Sequence, residues 1–294
     1  MYNQKTIFHL PGLFRYPGLY EALLKNWREN PETFKDNVVI GSVYDSPTCV
    51  WNGGRLVLQN QPGESDLRML KDMMESVGVP VRFTFTNCLL EEKHTYDTYG
   101  NLLLEIFNNG NNEVICNSEV LENYIRSKYG NDYKYISSTT KRLGKSHLKQ
   151  KDEIQKDYHL IVLDYDFNRD MKFLKGIENK EKCEILCNAV CAPKCPHREE
   201  HYRLISEKQL AFDFPQENWC EFGIVDSLFC SKQRKSFISP EDINEIYLPM
   251  GFNNFKLEGR TAPATDLIEV LLYYLIKDEY KEEIRYHLQR LLYD

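Results

Sequence analysis

No stretch of this chain is apolar for long enough to cross a bilayer: the longest run, Val270–Ile276, falls far short of the ~20 residues a spanning helix needs. The first residues, MYNQKTIFHLPGLFRYPG, show no basic segment followed by an apolar core and a small-residue cleavage site. That excludes a secretory signal of the ordinary pattern, so the expectation is a cytoplasmic chain with no membrane partner. Nor is there an excess of basic residues. A formal charge of −7 argues against coating nucleic acid by charge, and DNA is not an expected partner. G-x-G-x-x-G, H-E-x-x-H and G-x-S-x-G are all absent, which removes a dinucleotide loop, a zincin helix and a nucleophile elbow. Nine cysteines is an odd number in a chain without a signal, so reduced thiols are expected rather than a disulfide framework.

What is present suits one folded domain. A hydrophobic fraction of 42% with 13% aromatics is too rich for a disordered chain, and 294 residues are enough for a barrel-sized core. Short apolar runs at Val38–Tyr44, Val79–Thr86, Asn112–Cys116, Tyr133–Ser137, His159–Leu163, Glu184–Cys187 and Phe255–Leu257 read as strands. Helical spacing lies between them, for example at Asp66–Gly78, Tyr99–Asn108, Glu119–Lys128 and Asp170–Ile177. Alternation of this kind predicts a parallel sheet covered by helices. Seven strands, with an eighth placed between Gln209 and Asp226, predict an α/β fold of the (β/α)8 TIM-type barrel, incomplete or distorted if the eighth fails. The expected layout is an N-terminal extension (1–37), the barrel (38–264) and amphipathic C-terminal helices (265–294) that cover the barrel or form a dimer surface.

Asp45, Asn87, Asn117, Ser138, Asp164, Asn188 and Glu258 each lie at or just past the C-terminal end of a strand, where barrel active sites are built. Any one of them is as well explained as a helix N-cap. Together they mark a functional face, joined by the loop Trp51–Arg55 after the first expected strand. Asp164 and Glu258 are the general acid/base candidates, Arg260 is placed to hold an anionic group, and Asp45, Asn87, Asn117, Ser138 and Asn188 are substrate-binding candidates. The basic run Lys141–Lys151 lacks interleaved aromatics and reads as a solvated loop before it reads as a phosphate contact.

The stretch Glu184–Tyr202, EILCNAVCAPKCPHREEHY, runs from strand to cysteine-bearing loop to helix. Side chains alternate along a strand, so Cys183, Ile185 and Cys187 share one face and Glu184, Leu186 and Asn188 the other. Cys183 and Cys187 are expected to pack against helices, and Cys88 and Cys116 to be buried likewise. Cys191 and Cys195 lie past the strand, where packing is less natural, with Cys195 a candidate N-cap of the helix that follows. They invite a metal. An iron–sulfur cluster would recruit Cys220 and Cys230, with Cys49 and Cys187 as other possible ligands. Tetrahedral zinc would use Cys191, Cys195, His197 and His201. A third reading is a non-catalytic binding barrel in which the cysteines only pack.

The run N-A-x-C-x3-C-P-x-R-x2-H-Y at Asn188–Tyr202 and the stretch Phe255–Arg260 (FKLEGR) resemble the peptidase U32 family. So do Trp51–Arg55 (WNGGR), Ser137–Lys141 (SSTTK) and Leu163-Asp164. The resemblance spans about residues 38 to 278. It implies a barrel related to the (β/α)8 type and, in characterised branches, a cysteine-held [4Fe-4S] cluster serving oxygen-independent hydroxylation of RNA bases or quinone precursors. Cys191 and Cys195 match the family's cysteine pair, Arg198 and His201 its adjacent polar positions, and Glu258 and Arg260 its terminal strand motif. An enzyme acting on RNA or a small aromatic precursor is implied, working as a homodimer or beside a second U32-like protein. The four-cysteine spacing of the larger RNA-modifying branches is absent here, as are their accessory domains.

Overall fold

Along the strands, polar and charged residues alternate with large apolar ones: Arg82 and Thr84 face one way, Val81, Phe83 and Phe85 the other. A sheet with that pattern must bury both faces, the apolar one under helices and the polar one on itself. In the computed structural model, which describes residues 4–57, 61–213 and 227–292, eight parallel strands do this by closing into a barrel in chain order. They are β1 Thr6–Pro11, β2 Val38–Asp45, β3 Val81–Phe85, β4 Glu113–Cys116, β5 Lys134–Ser137, β6 Leu160–Val162, β7 Cys183–Leu186 and β8 Asn254–Lys256. Between them run α1 Pro17–Glu29, α2 Glu64–Val77, α3 Thr98–Ile106, α4 Glu119–Tyr129, α5 His147–Ile154, α6 Met171–Lys175 and α7 Arg198–Ala211. A short α8, Leu228–Lys232, precedes β8, and the helix Ala264–Leu275 follows it. No helix among the described residues is long and apolar enough to cross a membrane.

The (β/α)8 expectation holds, and the barrel is complete, but its eighth strand is not where it was expected. Residues 1–37 are no extension: β1 pairs with both β2 and β8 and closes the ring, and α1 packs outside it. In the range 209–226, Gln209–Ala211 belong to α7 and residues 214–226 lie outside those described. The stretch TIFHLP hides its strand character because its inward residue His9 is a buried imidazole, so the apolar alternation is broken. The C-terminal helices are present as Ala264–Leu275 and Lys281–Arg290; between them Lys277 donates its backbone N–H to Thr33 O and Ile276 bridges to Phe34.

The barrel interior is charged where such barrels usually carry branched apolar side chains. Arg82 donates to Glu113, to Glu184 Oε2 (2.6 Å) and to His9 Nδ1 (2.8 Å). A guanidinium only donates, so Nδ1 accepts and the neutral ring carries its proton on Nε2, which lies 3.1 Å from Asn254 Oδ1. Burial and the Arg82 charge hold His9 down to about 4 from its usual 6.5. Between pH 6.5 and 4 the unfolded chain therefore binds a proton that the folded one refuses, and stability falls as pH falls through that window. We expect His9→Gln to flatten the pH dependence of urea unfolding there by about one proton, or about 1.4 kcal/mol per pH unit. An unaltered slope would show that His9 is protonated in the fold.

Candidate functional site at the barrel mouth

At the C-terminal end of the strands lies a cavity of about 90 Å³. Its inner wall is Ile115 (β4), Val162 (β6) and Leu186 (β7), and the rings of Tyr44, Tyr165 and Tyr202 close its sides. Its charged lining residues are Arg55, Lys256, Arg260 and Glu258, three cations to one carboxylate. Thr84, Thr86 and Ser138–Thr140 complete the rim.

Each of these residues is placed by local chemistry. The loop Trp51–Arg55 is pinned where Trp51 inserts beneath α3 and donates Nε1–H to His94 O at 2.6 Å. Asn87 N–H donates to Trp51 O and Thr86 Oγ1 to Gly53 O. Gly53 has to be glycine, since a Cβ there would lie 2.5 Å from Thr86 O. Arg260 donates to Thr84 Oγ1 and to Gly53 O (3.1 Å), tying the chain after β8 across the mouth to this loop. Arg55 reaches back to pair with Glu258, whose other oxygen accepts from Val190 N–H at 3.1 Å.

Of the residues singled out from the sequence, Glu258, Arg260 and Ser138 line the cavity. The others stand behind it. Asn188 is matched to Glu258 by a pair of bonds, Nδ2–H to Glu258 O (2.8 Å) and Oδ1 from Glu258 N–H (2.6 Å), so it aims the carboxylate without lining the space. Asp45 accepts from Phe14 N–H and Ser46 N–H, Asn87 donates to Val50 O and Ser206 O, and Asn117 donates to Thr140 Oγ1. Asp164 is buried beneath the basic run: it accepts from Arg142, from Gly144 N–H (3.0 Å) and from Asp166 N–H (3.0 Å), with Arg198 3.5 Å away. Burial raises its pKa, as expected of a carboxyl at the mouth, but the group is committed to these partners. A Cβ on Gly144 would sit 2.6 Å from its carboxylate oxygens. The basic run is solvated in its second half, where Lys145 pairs with Glu199 and His147 with Asp170 at the surface and α5 has begun, while Lys141 and Arg142 are drawn inward to Glu153 and Asp164.

Arg198, at the first turn of α7, is fully buried. It donates to Asp166 Oδ1 (3.0 Å) and Ala192 O (2.5 Å) and lies 4.0 Å over the Tyr165 ring, so it clamps the cysteine loop onto the end of β6. His201 follows on the same helix, its pKa lowered to about 4 by burial and by Arg55 and Lys208. Helix α7 begins at Arg198 with His197 before it and no side-chain cap, so Cys195 is not its N-cap. Cys183 and Cys187 face the helices, buried as expected, and Cys116 is buried too. Cys88 is exposed instead, because it lies in the loop beyond β3, with its sulfur 3.3 Å from Ser206 Oγ of α7.

Cys49 is buried under the first loop, Cys191, Cys195 and Cys230 are half-buried, and Cys220 lies outside the described residues. Among the described residues no group of three His, Cys, Asp or Glu side chains is arranged to hold a metal ion. The four zinc candidates Cys191, Cys195, His197 and His201 are all described, and they do not come together as a site. The described residues therefore do not form a tetrahedral zinc site, and the four-thiolate set includes Cys220, which lies outside them.

Besides the apolar Ile115, Val162 and Leu186, the cavity-lining residues that the sequence reading did not name as site candidates include Lys256, Tyr44, Thr84, Thr86, Tyr165 and Tyr202. For Lys256 the signal was available. It is two residues before Glu258 and two after Asn254, and side chains at that spacing share a face.

No family model matches the chain. The curated relative "Uncharacterized protease MJ1657" of Methanocaldococcus jannaschii is 28% identical over 127 residues, 41% of this chain and 37% of that protein. The matched stretch is thus well under half of the relative's length. Among solved structures, that of the U32 peptidase Mk0906 is similar with a TM-score of 0.54 and 14% identity, covering 88% of this chain and 94% of that one. The fold of this chain is therefore that of a U32 peptidase.

Proposed function

We propose that this chain is a U32-like enzyme that acts on a small anionic molecule at the barrel mouth. The observation that carries this is the cavity itself: Lys256, Glu258 and Arg260 at the end of β8 meet Arg55 of the loop after β2 and tyrosines from β2, the turn after β6 and α7 over an apolar floor. Glu258, held between Arg55 and Val190 N–H, is the acid/base candidate, and Arg260 supports a carboxylate or phosphate. Pyruvate serves as the probe. Calorimetry should show binding that weakens by about tenfold or more in Arg260→Gln, since a charge-assisted hydrogen bond contributes about 1.5–3 kcal/mol. Unchanged affinity in a folded Arg260→Gln would place the substrate elsewhere.

The peptidase named in the similar proteins gains little from this geometry. The hydroxyl–imidazole pair Ser42–His9 (2.8 Å) is sealed inside the barrel, out of reach of a substrate chain. A second reading, iron–sulfur hydroxylation of a small aromatic precursor or an RNA base, is supported by Cys191, which packs beside Tyr165 at the cavity wall. Cys191 and Cys195 are two ligands only, and no step is derived through a cluster. Iron and sulfide analysis of anaerobically purified protein decides between the readings: stoichiometric iron lost in Cys191→Ser would favour the second, and its absence would leave the first.

A further inference from the structure

We infer that Lys256 is a nucleophilic amine that condenses with the carbonyl carbon of a small 2-oxo acid in the barrel mouth, an inference that rests on the mouth being the working site. Lys256 stands on β8 at the cavity floor and is 7% exposed. Its ammonium has three donors, yet Nζ makes no hydrogen bond to any described residue. The nearest carboxylate oxygen, Glu184 Oε1, forms a long ion pair with it at 3.6 Å and has no hydrogen-bond partner among the described residues, Arg82 engaging the other oxygen at 2.6 Å. The Tyr44 ring lies against Nζ, with 3.4 Å to its centroid. The ring face and the Glu184 charge favour the ammonium, but neither supplies the hydrogen bonds that burial removes, and the neutral amine with a free lone pair gains on it. Burial, helped by Arg82 and Arg260 and opposed by Glu184 and Glu113, brings Lys256 down to about 7 from its usual 10.5. A desolvated lysine beside other cations is a known route to an activated amine.

The surroundings specify the electrophile. A lone pair on the lining of the mouth needs an electron-poor carbon, and Arg55 and Arg260 on the same lining call for a carboxylate next to it. Ile115, Val162 and Leu186 accept a short apolar substituent, and about 90 Å³ admits only a small one. In the step, the nitrogen lone pair attacks the carbonyl carbon and the C=O π pair moves to oxygen, which takes a proton. The carbinolamine then loses that oxygen as water, with the remaining nitrogen proton released, to leave a C=N bond. Glu258, also on the lining, is the group placed to carry the proton. No oxidant or reductant is needed.

The test is reductive trapping with pyruvate and cyanoborohydride, followed by peptide mapping, alongside calorimetry of pyruvate binding. In the full chain, Lys256 should carry the reduced adduct at about tenfold or more the level of any exposed lysine, because those amines stay protonated about three pH units above neutrality. Lys256→Met, neutral and close in length but without the amine, should form no adduct. Wild-type mapping keeps the outcome readable should that variant not fold. Pyruvate binding without adduct at Lys256, or adduct on exposed lysines alone, overturns the inference and leaves the mouth as a binding site. No binding and no adduct overturns both.

Discussion

Replacing Arg82 with methionine should destabilise the chain by about 3–5 kcal/mol, because it strands two buried carboxylates that share one guanidinium. Glu113 and Glu184 are 2% and 0% exposed and come from β4 and β7, facing each other across the barrel with Arg82 of β3 between them. In the native protein this arrangement holds Glu184 down to about 2, the Arg82 charge above all opposing the cost of burial. Its sign follows: a depressed carboxylate contributes stability above its unfolded value near 4.5, lost as pH falls toward 2. In Arg82→Met the sign reverses. The stranded carboxylates would titrate above their unfolded value, so acidification toward pH 5 should recover part of the loss. Against a total stability of about 5–15 kcal/mol the change is large, and urea unfolding at pH 8 and pH 5 reads it directly. Adding Glu113→Gln and Glu184→Gln should restore much of the stability, since an ionic cluster removed whole costs far less than one broken. A loss under about 1 kcal/mol in Arg82→Met at both pH values would mean that the cluster does not hold the barrel together.

Arg198→Ala should act in a different place, with a cost of about 3 kcal/mol that falls on the cysteine loop. Arg198 links α7, Ala192 O, Asp166 and the Tyr165 face, and its loss leaves Asp164 and Asp166 to Arg142 alone among the arginines described around them. Residues 191–200 should then exchange amide hydrogens and admit protease well before global unfolding. Tyr165 and Tyr202 line the cavity from either side of this clamp, so pyruvate binding should weaken with it. Arg198→Lys should rescue only part, since an ammonium cannot reproduce the planar fork that meets Asp166 and Ala192 O together. Unchanged exchange in residues 191–200 of Arg198→Ala would show that the loop is held by packing and not by this side chain.

Much of the site was visible one residue at a time. Polar strand ends pointed to the mouth, and Glu258, Arg260 and Ser138 are there. The same rule also collected Asp45, Asn87, Asn117, Asp164 and Asn188, which serve as caps and braces one layer behind. A carboxylate that lines a cavity and one that caps a turn have the same sequence signature. The difference is made by which N–H groups or guanidinium groups reach it from elsewhere: Arg142 and Arg198 claim Asp164, whereas Arg55 holds Glu258 at the edge of open space.

By itself the sequence determined the alternation of strand and helix, hence the parallel barrel, and the opposite faces of β7 on which Glu184 and the cysteines lie. These depend on local periodicity and on the burial of apolar side chains, both of which are written within a dozen residues. Only the tertiary structure decided that TIFHLP closes the ring, because a strand whose inward residue is histidine is stabilised by Arg82, Ser42 and Asn254 from three other strands. It likewise decided the isolation of Lys256. Its amine is left without a hydrogen bond because Glu184 Oε1 of β7, itself without a hydrogen-bond partner among the described residues, stands 3.6 Å away, and that is a property of distances across the barrel.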